Sequence, residues 1–388
     1  MEFTKGIDKN EPVALARVGG YDVGLIESTI RGQLKELGLS GMFDGKRVVI
    51  KPNLVMKKSP DAAATTHPAV LEAMIRVLKD SAADILIAES PPGLYTESAL
   101  KGFYNACQIT PVAEKYGVRL NTDTSSREVA LHDAKTAHGF ELITPLLDAD
   151  VIVNLAKLKS HALTKFSGAV KNYFGSIPGL AKVETHARFP DYGDFGSMLT
   201  DLCAFFAGNK PTFNLLDGIV AMEGNGPTGG EPRKLGYLIA GINPFNVDIV
   251  GTKLIGFDEV IMLEEAKKRG YACDSPTVIG VAPERVSDFV RPDSSAGDTS
   301  ALTFLTKAFG GRLNRWLQPK PFVEVSKCVG CGACARSCPK KTIGLVGDPK
   351  KHAHIIDRDC IKCFCCQELC PVKAVVIKKN PVMKFLGG

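Results

Sequence analysis

Eight cysteines near the C-terminus repeat a spacing that suits iron-sulfur chemistry. Each half reads C-x2-C-x2-C-x3-C-P, and the second half follows the first after 32 residues. In such a run three thiolates wrap one cubane, while the fourth cysteine ligates the other cluster. The spacing therefore predicts two [4Fe-4S] clusters with crossed ligands: Cys328, Cys331, Cys334 and Cys370 for the first, and Cys360, Cys363, Cys366 and Cys338 for the second.

A zinc ribbon is the alternative for closely spaced cysteines, but it needs two C-x2-C pairs and not eight cysteines. Nine of the twelve cysteines lie between positions 328 and 370, which favours a cofactor over a disulfide scaffold and predicts a reducing compartment. The second half has Phe364 and Cys365 where the first has Gly332 and Ala333. We expect Cys365 to be a bystander thiol, with a ligand-swap or redox role as the alternative.

A second group of chemically capable residues lies in the middle of the chain. Lys157 and Lys159 flank Leu158, so an extended strand would turn both ammonium groups to one side. His161 could act as a general acid or base, and Lys171 adds charge. These residues predict a site for a small anionic molecule, with His161, Lys159 and Lys157 as the catalytic candidates. The alternative is that the lysines are solvated surface charges.

The elements that must position these groups alternate short apolar runs with helical patterns, which predicts an α/β main domain with a mostly parallel sheet. Ligands of such sheets bind at the carboxyl ends of the strands. We expect strands at 46–50, 84–88, 150–154, 212–217, 235–240 and 277–281, and helices at 68–78, 198–207 and 247–269.

Residues 224–229 match the pattern G-x-G-x-x-G, which is found in many dinucleotide-binding loops. A dinucleotide fingerprint must open a helix, and Pro227, Gly230 and Pro232 prevent a regular one. We therefore predict a glycine-rich active-site loop and no NAD site. A flavin or another small cofactor stays possible, because such sites often leave no readable motif.

Two resemblances extend these inferences. About residues 321–380 resemble the bacterial two-cluster ferredoxins, which implies a small α+β domain. About residues 45–260 resemble the family known as domain of unknown function 362, whose members often carry such a tail and whose chemistry is largely unassigned. The motifs that carry this second resemblance are 51–53, 65–68, 154–161, 169–179, 216–219 and 222–228.

The second resemblance implies a site but no substrate. The candidates for substrate binding are Lys51, Asn53, His67, Asn154, Lys171, Asn172, Asp217, Glu223, Gly224 and Gly226. The acids at strand ends, with Glu89 among them, could orient a lysine or bind a cation; solvated loop acids are the alternative.

The predicted organisation has three parts: an α/β domain at 1–292, a linker with a docking helix at 293–320, and a two-cluster ferredoxin-like domain at 321–388. The linker is inferred from the sequence PDSSAGDTS at 292–300. Apolar residues at helical spacing predict the helix at 301–317. A membrane-surface helix is the alternative there.

The charge of the chain is concentrated in the tail, which has twelve Lys or Arg against five Asp or Glu from Pro321 onward. The negative charge of two thiolate-ligated clusters offsets most of this excess, so we predict no nucleic-acid partner. No stretch of eighteen uncharged apolar residues occurs, which predicts no membrane span and a cytoplasmic location.

Two functions follow from the sequence. The first is a ferredoxin-linked oxidoreductase of anaerobic metabolism, a reductase in which the clusters pass electrons to a small anionic substrate or bound cofactor in the α/β domain. The second is a non-catalytic electron-transfer or maturation protein that serves a protein partner. Either requires a low-potential electron donor or acceptor protein, and a homodimer is possible.

Overall fold

A nine-stranded, mostly parallel sheet forms the centre of the N-terminal part. The computed structural model describes residues 6–295 and 318–378. The strands of these residues up to 295 are β1 (Val13–Arg17), β2 (Arg47–Lys51), β3 (Asp84–Ile87), β4 (Arg119–Leu120), β5 (Ser126–Ala130), β6 (Gly139–Ile143), β7 (Val151–His161), β8 (Lys165–Ser167), β9 (Thr212–Glu223), β10 (Glu231–Gly241) and β11 (Val278–Gly280).

The sheet has the order β11-β1-β10-β9-β7-β2-β3-β4, and β8 pairs with β7. Strands β9, β7, β2, β3 and β4 run parallel to one another, and β11 runs parallel to β1. Strand β10 is antiparallel to both β1 and β9, and β8 is antiparallel to β7. Strands β5 and β6 form a separate hairpin. The predicted α/β class is therefore confirmed.

Helices cover both faces of the sheet, as a parallel sheet requires. They are α1 (Val23–Glu36), α2 (Pro68–Leu78), α3 (Glu97–Ala106), α4 (Ile109–Tyr116), α5 (Thr144–Asp148), α6 (Ala169–Asn172), α7 (Ala181–Arg188), α8 (Tyr192–Asn209), α9 (Pro244–Ile255) and α10 (Ile261–Lys268). Strand β7 shows the two cores directly. Its residues Val151, Val153 and Leu155 join one apolar cluster, and Ile152 and Ala156 join the other.

Local signals placed some elements well and others poorly. The helix at 68–78 is confirmed residue for residue, with Pro68 in its first turn and the side chain of His67 accepting a hydrogen bond from the Ala69 amide. The single helix at 247–269 is wrong. Gly256 ends α9 in the left-handed conformation at φ 68°, and a new helix begins at Ile261.

Three central strands are longer than the apolar runs that predicted them. Strand β7 continues from Val151 to His161, so the polar residues Lys157 and Lys159 lie inside the sheet and not beyond its edge. Strands β9 and β10 are extended in the same way and meet at a hairpin. Polar residues interrupt or precede the apolar runs of these strands: Lys157 in β7, Asp217 in β9, and the largely exposed residues 231–234 at the start of β10.

The described C-terminal part is a small α+β unit. Its strands are β12 (Lys320–Val323), β13 (Ile343–Val346), β14 (His352–Ile355) and β15 (Val375–Lys378), and its helices are α11 (Ala333–Arg336) and α12 (Cys365–Glu368). The antiparallel pairs β12–β15 and β13–β14 enclose the cysteines. The expected helix at 301–317 lies outside the described residues. Among residues 6–295 and 318–378, no helix is long and apolar enough to cross a membrane.

Candidate functional site

A row of buried amides fixes the far end of strand β7. Asn53, just after β2, accepts a hydrogen bond from the Lys159 ammonium at 2.9 Å and donates to Asn172 at 2.8 Å. Asn172 donates to Asn154 at 2.7 Å, and Asn154 donates to Asn214 at 2.9 Å. Because each amide both donates and accepts, the row sets the orientation of every member. Its outer end positions Lys159.

Lys159 is fully buried at the start of a cavity. Its ammonium also donates to the Ala64 carbonyl at 2.8 Å. Burial lowers the pKa of Lys159 well below its usual value, and the charges of Lys171 and Lys157 lower it further. Removing water from an ammonium disfavours its charged form, so an anion that enters the cavity would stabilise the charge.

The cavity holds about 90 Å³ and has two walls of different origin. One wall belongs to the α/β domain and carries Lys159, Lys171 and Lys182. The other belongs to the second cysteine motif and carries Cys365 and Glu368. The cavity therefore joins a cationic surface to the iron-sulfur module. The remaining lining residues are Asn53, Leu54, Val55, Glu89, Ser90, Pro92, Ser167, Asn172, Phe174, Gly175, Val183, His186, Pro227 and Leu369.

Lys171 differs from the other lysines of the cavity. Its ammonium lies 5.4 Å from the ring centroid of Phe174 and donates no hydrogen bond to any residue that the structure describes. Burial lowers the pKa of Lys171, and Glu368 opposes this effect. Lys171 is half-buried, and an ammonium without hydrogen-bond acceptors in the protein leaves its donors available to a ligand.

Lys51, Glu89 and Lys182 form a buried charged group at the opposite side. Lys51 contacts the Glu89 carboxylate as an ion pair, and Lys182 donates to the Ser90 carbonyl at 2.6 Å. Burial raises the pKa of Glu89 to about 7 and lowers that of Lys182 to about 7. A Cβ at Gly175 would lie 1.9 Å from the Glu89 side chain, so only glycine fits beside this pair.

His161 faces the iron-sulfur module. Its Nδ1 accepts hydrogen bonds from the amides of Leu163 at 3.0 Å and Thr164 at 3.3 Å, which places the ring proton on Nε2. That Nε2 lies 3.3 Å from a carboxylate oxygen of Glu368. Burial, followed by the charges of Lys171 and Lys159, lowers the pKa of His161 well below its usual value. The imidazole is therefore a neutral group beside the cavity.

His186 lines the cavity on the other side of Lys171. Its ring stacks on Phe195 with a centroid distance of 4.4 Å and meets Phe174 edge-on at 5.5 Å. Its Nδ1 is buried and has no hydrogen-bond partner among the described residues. Burial and the charge of Lys171 lower the pKa of His186 to about 3. This neutral nitrogen is a second polar atom available to a ligand.

Lys157 and two other candidates belong to a separate group. The Lys157 ammonium donates to Asp217 at 2.8 Å and to the Tyr21 hydroxyl at 2.6 Å, and it does not line the cavity. The Tyr21 ring stacks on His67 with centroids 3.5 Å apart. Burial lowers the pKa of His67 to about 4; the charge of Asp217 opposes this effect, and that of Lys157 adds to it. The structure therefore does not bring Lys157, Asp217 and His67 together with Lys159 and Lys171.

The glycine-rich segment forms the hairpin loop between β9 and β10 and contributes Pro227 to the cavity. The carboxylate of Glu223 accepts a hydrogen bond from the Val290 amide at 3.0 Å, and the Gly224 amide donates to the Val290 carbonyl at 2.8 Å. A Cβ at Gly226 would lie 2.1 Å from the Ser160 carbonyl oxygen. At Gly226, the absence of a side chain allows the loop backbone to pack closely on Ser160.

The same loop carries much of the contact with the second cysteine motif. The Thr228 hydroxyl donates to the Glu368 carbonyl at 2.7 Å, and Gln367 donates to the Asn225 carbonyl at 2.9 Å. Phe364 is buried in a small apolar cluster with Ala162. The unusual residue at 364 therefore has a packing role that the motif alone did not reveal.

The two sets of thiols suit [4Fe-4S] clusters. Burial raises the pKa of the Cys334 thiol, and the nearby thiols of Cys370, Cys328 and Cys331 raise it further. Burial likewise raises the pKa of Cys360, to which Cys363 and Cys338 add. The fourth cysteine of each run thus lies with the other run.

Backbone amides also point at the sulfur atoms. The Ala353 amide donates to the sulfur of Cys328 at 3.4 Å, and the Ala374 amide donates to that of Cys370 at 3.2 Å. Hydrogen bonds to the ligand sulfurs help to set the reduction potential of a cluster. The donor set and its surroundings fit the group that the spacing predicts.

Several site residues carried no readable signal. Lys182, His186 and Glu368 line the cavity only because distant segments pack together. Asp248 accepts hydrogen bonds from the Ala169 and Val170 amides at 2.6 and 2.9 Å, at the start of the helix that carries Lys171. Burial raises the pKa of Asp248 to about 7. In the sequence, the sign of a role for Asp248 is that it is an acid within the otherwise mostly apolar sequence of α9.

The fold and the site define an α/β protein fused to a ferredoxin-type module. Residues 327–374 match the 4Fe-4S dicluster domain, so the module is one that binds [4Fe-4S] clusters for electron transfer. Residues 48–253 match the domain of unknown function DUF362. The chain belongs to the DUF362 family, and both resemblances found in the sequence are confirmed.

A curated relative is the thylakoid-associated protein sll1697 of Synechocystis sp., which is 34% identical over 254 residues, 63% of this chain and 75% of that protein. The lactate racemase apoprotein of Thermoanaerobacterium thermosaccharolyticum aligns with a TM-score of 0.38 and 13% identity. That alignment covers 64% of this chain and 59% of the racemase. A likeness at this level adds nothing to the interpretation of the site.

Proposed function

We propose that this protein is an iron-sulfur oxidoreductase that reduces a small anionic molecule held in the cavity between its two parts. One observation carries the proposal: Lys171 of the α/β domain and Cys365 and Glu368 of the second cysteine motif line the same cavity. A molecule bound there would lie beside Cys365, whose thiol contacts the predicted cluster ligand Cys363. A docking surface for a protein would need no such enclosed, charged space.

The charges of the cavity favour an anion. Lys159, Lys171 and Lys182 line it, while Glu89 is already paired with Lys51 and burial raises the pKa of the second lining acid, Glu368. Burial lowers the pKa of all three lysines, so each would gain from a negative ligand. Lys171 is the natural anchor, because its ammonium has no hydrogen-bond acceptor among the described residues.

The size of the cavity favours a molecule of few heavy atoms. Its volume of about 90 Å³ is well below the roughly 300–1,000 Å³ of sites for drug-sized ligands. A small carboxylate or oxyanion fits this space, and a flavin ring system does not. We therefore propose two [4Fe-4S] clusters as the redox cofactors and no flavin in this cavity.

The residues suggest how the reaction is organised. When bound, the two clusters supply low-potential electrons one at a time. Lys171 and Lys159 would orient the anion, and the Asn53 to Asn214 row would hold Lys159 in place. His161 holds a proton at Nε2 near Glu368, and neither this nitrogen nor the facing Glu368 oxygen has a hydrogen-bond partner among the described residues. His186 offers a neutral nitrogen to the ligand.

The alternative is that the protein is an electron carrier that passes electrons to a protein partner. Its location in the cell would then determine which partners it can reach. The name of the Synechocystis relative associates it with thylakoids. We propose a cytoplasmic location for this chain, with attachment to a membrane surface as the competing outcome. Fractionation of cells after gentle lysis distinguishes the two.

Binding of simple anions to the reduced protein tests the proposal. Acetate, oxalate and phosphate serve as probes, and electron paramagnetic resonance reports on the reduced cluster beside the cavity. We expect at least one probe to change the spectrum of the wild type and not that of Lys171→Met. Lys165→Met is the matched control, since Lys165 pairs with Glu259 outside the cavity. Equal responses from all three proteins would place anion binding elsewhere.

A further inference from the structure

The first cysteine motif presents a different surface from the second. Cys331 is exposed, and the neighbouring Val329 is 62% exposed. In the second motif the equivalent region is covered, with Phe364 buried against Ala162 of the α/β domain. Among the predicted cluster ligands, Cys331 is therefore the thiol that another protein can approach most directly.

Three further side chains surround the loop of Cys331. The Arg336 guanidinium donates to the Cys331 carbonyl at 3.0 Å. Leu345 lies against Gly332, since a Cβ there would be 3.6 Å from a Leu345 methyl group. Lys351 lies against Gly330 in the same way, since a Cβ there would be 3.3 Å from the Lys351 Cβ. These residues belong to one continuous surface, which we call the Cys331 face.

The Cys331 face combines an apolar centre with a basic rim. Val329 and Leu345 are exposed at 62% and 40%. Between residues 324 and 351 the sequence has six Lys or Arg and two acids. Arg336 and Lys351, which lie against the loop of Cys331, and Lys350 beside Lys351 are all exposed. An apolar centre with a charged rim is the composition of a transient protein interface.

We propose that the Cys331 face docks a small electron-carrier protein with an acidic surface, which delivers electrons to the clusters. The proposal rests on the proposed function only in that the clusters carry electrons. The basic rim would steer the acidic carrier into place, and the apolar centre would exclude water between the two redox centres. A basic carrier would be repelled by the same rim.

Charge reversal at the rim tests the docking proposal without any substrate. Reduced flavodoxin, an acidic carrier, is mixed rapidly with the oxidised holoprotein, and the bleaching of the clusters is followed at several salt concentrations. The test variant is Lys350→Glu combined with Lys351→Glu, and Lys35→Glu on α1 is the control for an exposed lysine elsewhere. Reduced methyl viologen, a small donor, reports whether the clusters of each protein accept electrons.

In the wild type and in Lys35→Glu, the second-order rate constant should fall steeply as salt rises, because salt screens the attraction. In the double variant it should be lower at low salt by about tenfold and depend less on salt. Reduction by methyl viologen should be equal in all three. Equal rates with flavodoxin in all three proteins, or a rate that salt does not change in the wild type, would overturn the proposal. The anion cavity takes no part in this assay. Its outcome therefore tests the docking of the carrier and not the proposed substrate.

Discussion

The Nε2 atom of His161 lies 3.3 Å from a carboxylate oxygen of Glu368. His161 ends the long strand β7 of the α/β domain, and Glu368 lies between two cysteines of the second cluster motif. The two residues are 207 positions apart in the sequence. Glu368 lines the cavity of Lys171, whereas His161 reaches it only through this contact. This contact is the point where the electron-transfer module and the anion site meet.

Asn53 should stabilise the fold through Lys159. In Asn53→Leu the buried ammonium keeps only the Ala64 carbonyl, so one donor is left without a partner. We expect the free energy of unfolding to fall by about 1–3 kcal/mol, measured by urea denaturation under anaerobic conditions. In the control Asn209→Ala, an exposed amide is removed and the change should stay below about 0.5 kcal/mol. Equal losses in both variants would contradict the role of Asn53.

The crossed ligand sets predict which cysteines act on the same cluster. Cys334→Ala and Cys370→Ala should damage one cluster and give matching resonance spectra, because both thiols lie in one set. Cys338→Ala should resemble Cys360→Ala. Cys203→Ala in the α/β core is the control and should retain full iron content. A shared spectrum for Cys334→Ala and Cys338→Ala would show that the runs do not cross.

His186 should make the protein sensitive to acid. Its pKa in the folded state is about 3, below the usual value of 6.5, so its neutral form stabilises the fold above pH 6.5 and the benefit is lost as pH falls. Between pH 7.5 and 5.5 the wild type should lose about 1.4 kcal/mol more than His186→Phe. Phenylalanine keeps the stack on Phe195. Urea denaturation measures both changes. If the wild type and His186→Phe lost the same unfolding free energy, His186 would not be buried in its neutral form.

Gly226 should hold the hairpin loop against the strand below it. In Gly226→Ala the new Cβ would meet the Ser160 carbonyl oxygen at 2.1 Å, and a backbone atom cannot move aside cheaply. We expect a loss of about 1–3 kcal/mol and a loosened contact between Thr228 and Glu368. Hydrogen exchange of the loop and of α12 measures this. Gly20→Ala is the control, because nothing lies within 4 Å of its Cβ position. Unchanged exchange in Gly226→Ala would refute the packing role.

The features that can be predicted from the sequence are those set by residues close together in the chain. The cysteine spacing predicts the ligand sets, and Pro68 correctly predicted the start of α2. Spacing does not show which of the candidate lysines belong to one site. Lys159 and Lys171 line the cavity, but Lys157 is held by Asp217 and Tyr21, although it lies only two residues from Lys159 on the same strand. Partners on other strands decided this, and spacing along one strand does not reveal them.

The other half of the site could not be read from the sequence for a similar reason. Lys182 and His186 lie on α7, a helix with no catalytic motif, and Glu368 was hidden among cluster ligands. Their convergence depends on how the ferredoxin-type module packs on the hairpin loop. Contacts between segments so far apart become visible only in three dimensions.

Reoxidation of the reduced clusters is the most direct test of the central claim. The wild type, Lys171→Met and Lys165→Met are reduced under anaerobic conditions, freed of reductant and mixed with a protein-free metabolite fraction from cells. We predict that this fraction reoxidises the clusters of the wild type and of Lys165→Met, and that Lys171→Met stays reduced. Reoxidation of all three at the same rate, or of none until a protein fraction is added, would contradict a reducible anion bound at Lys171.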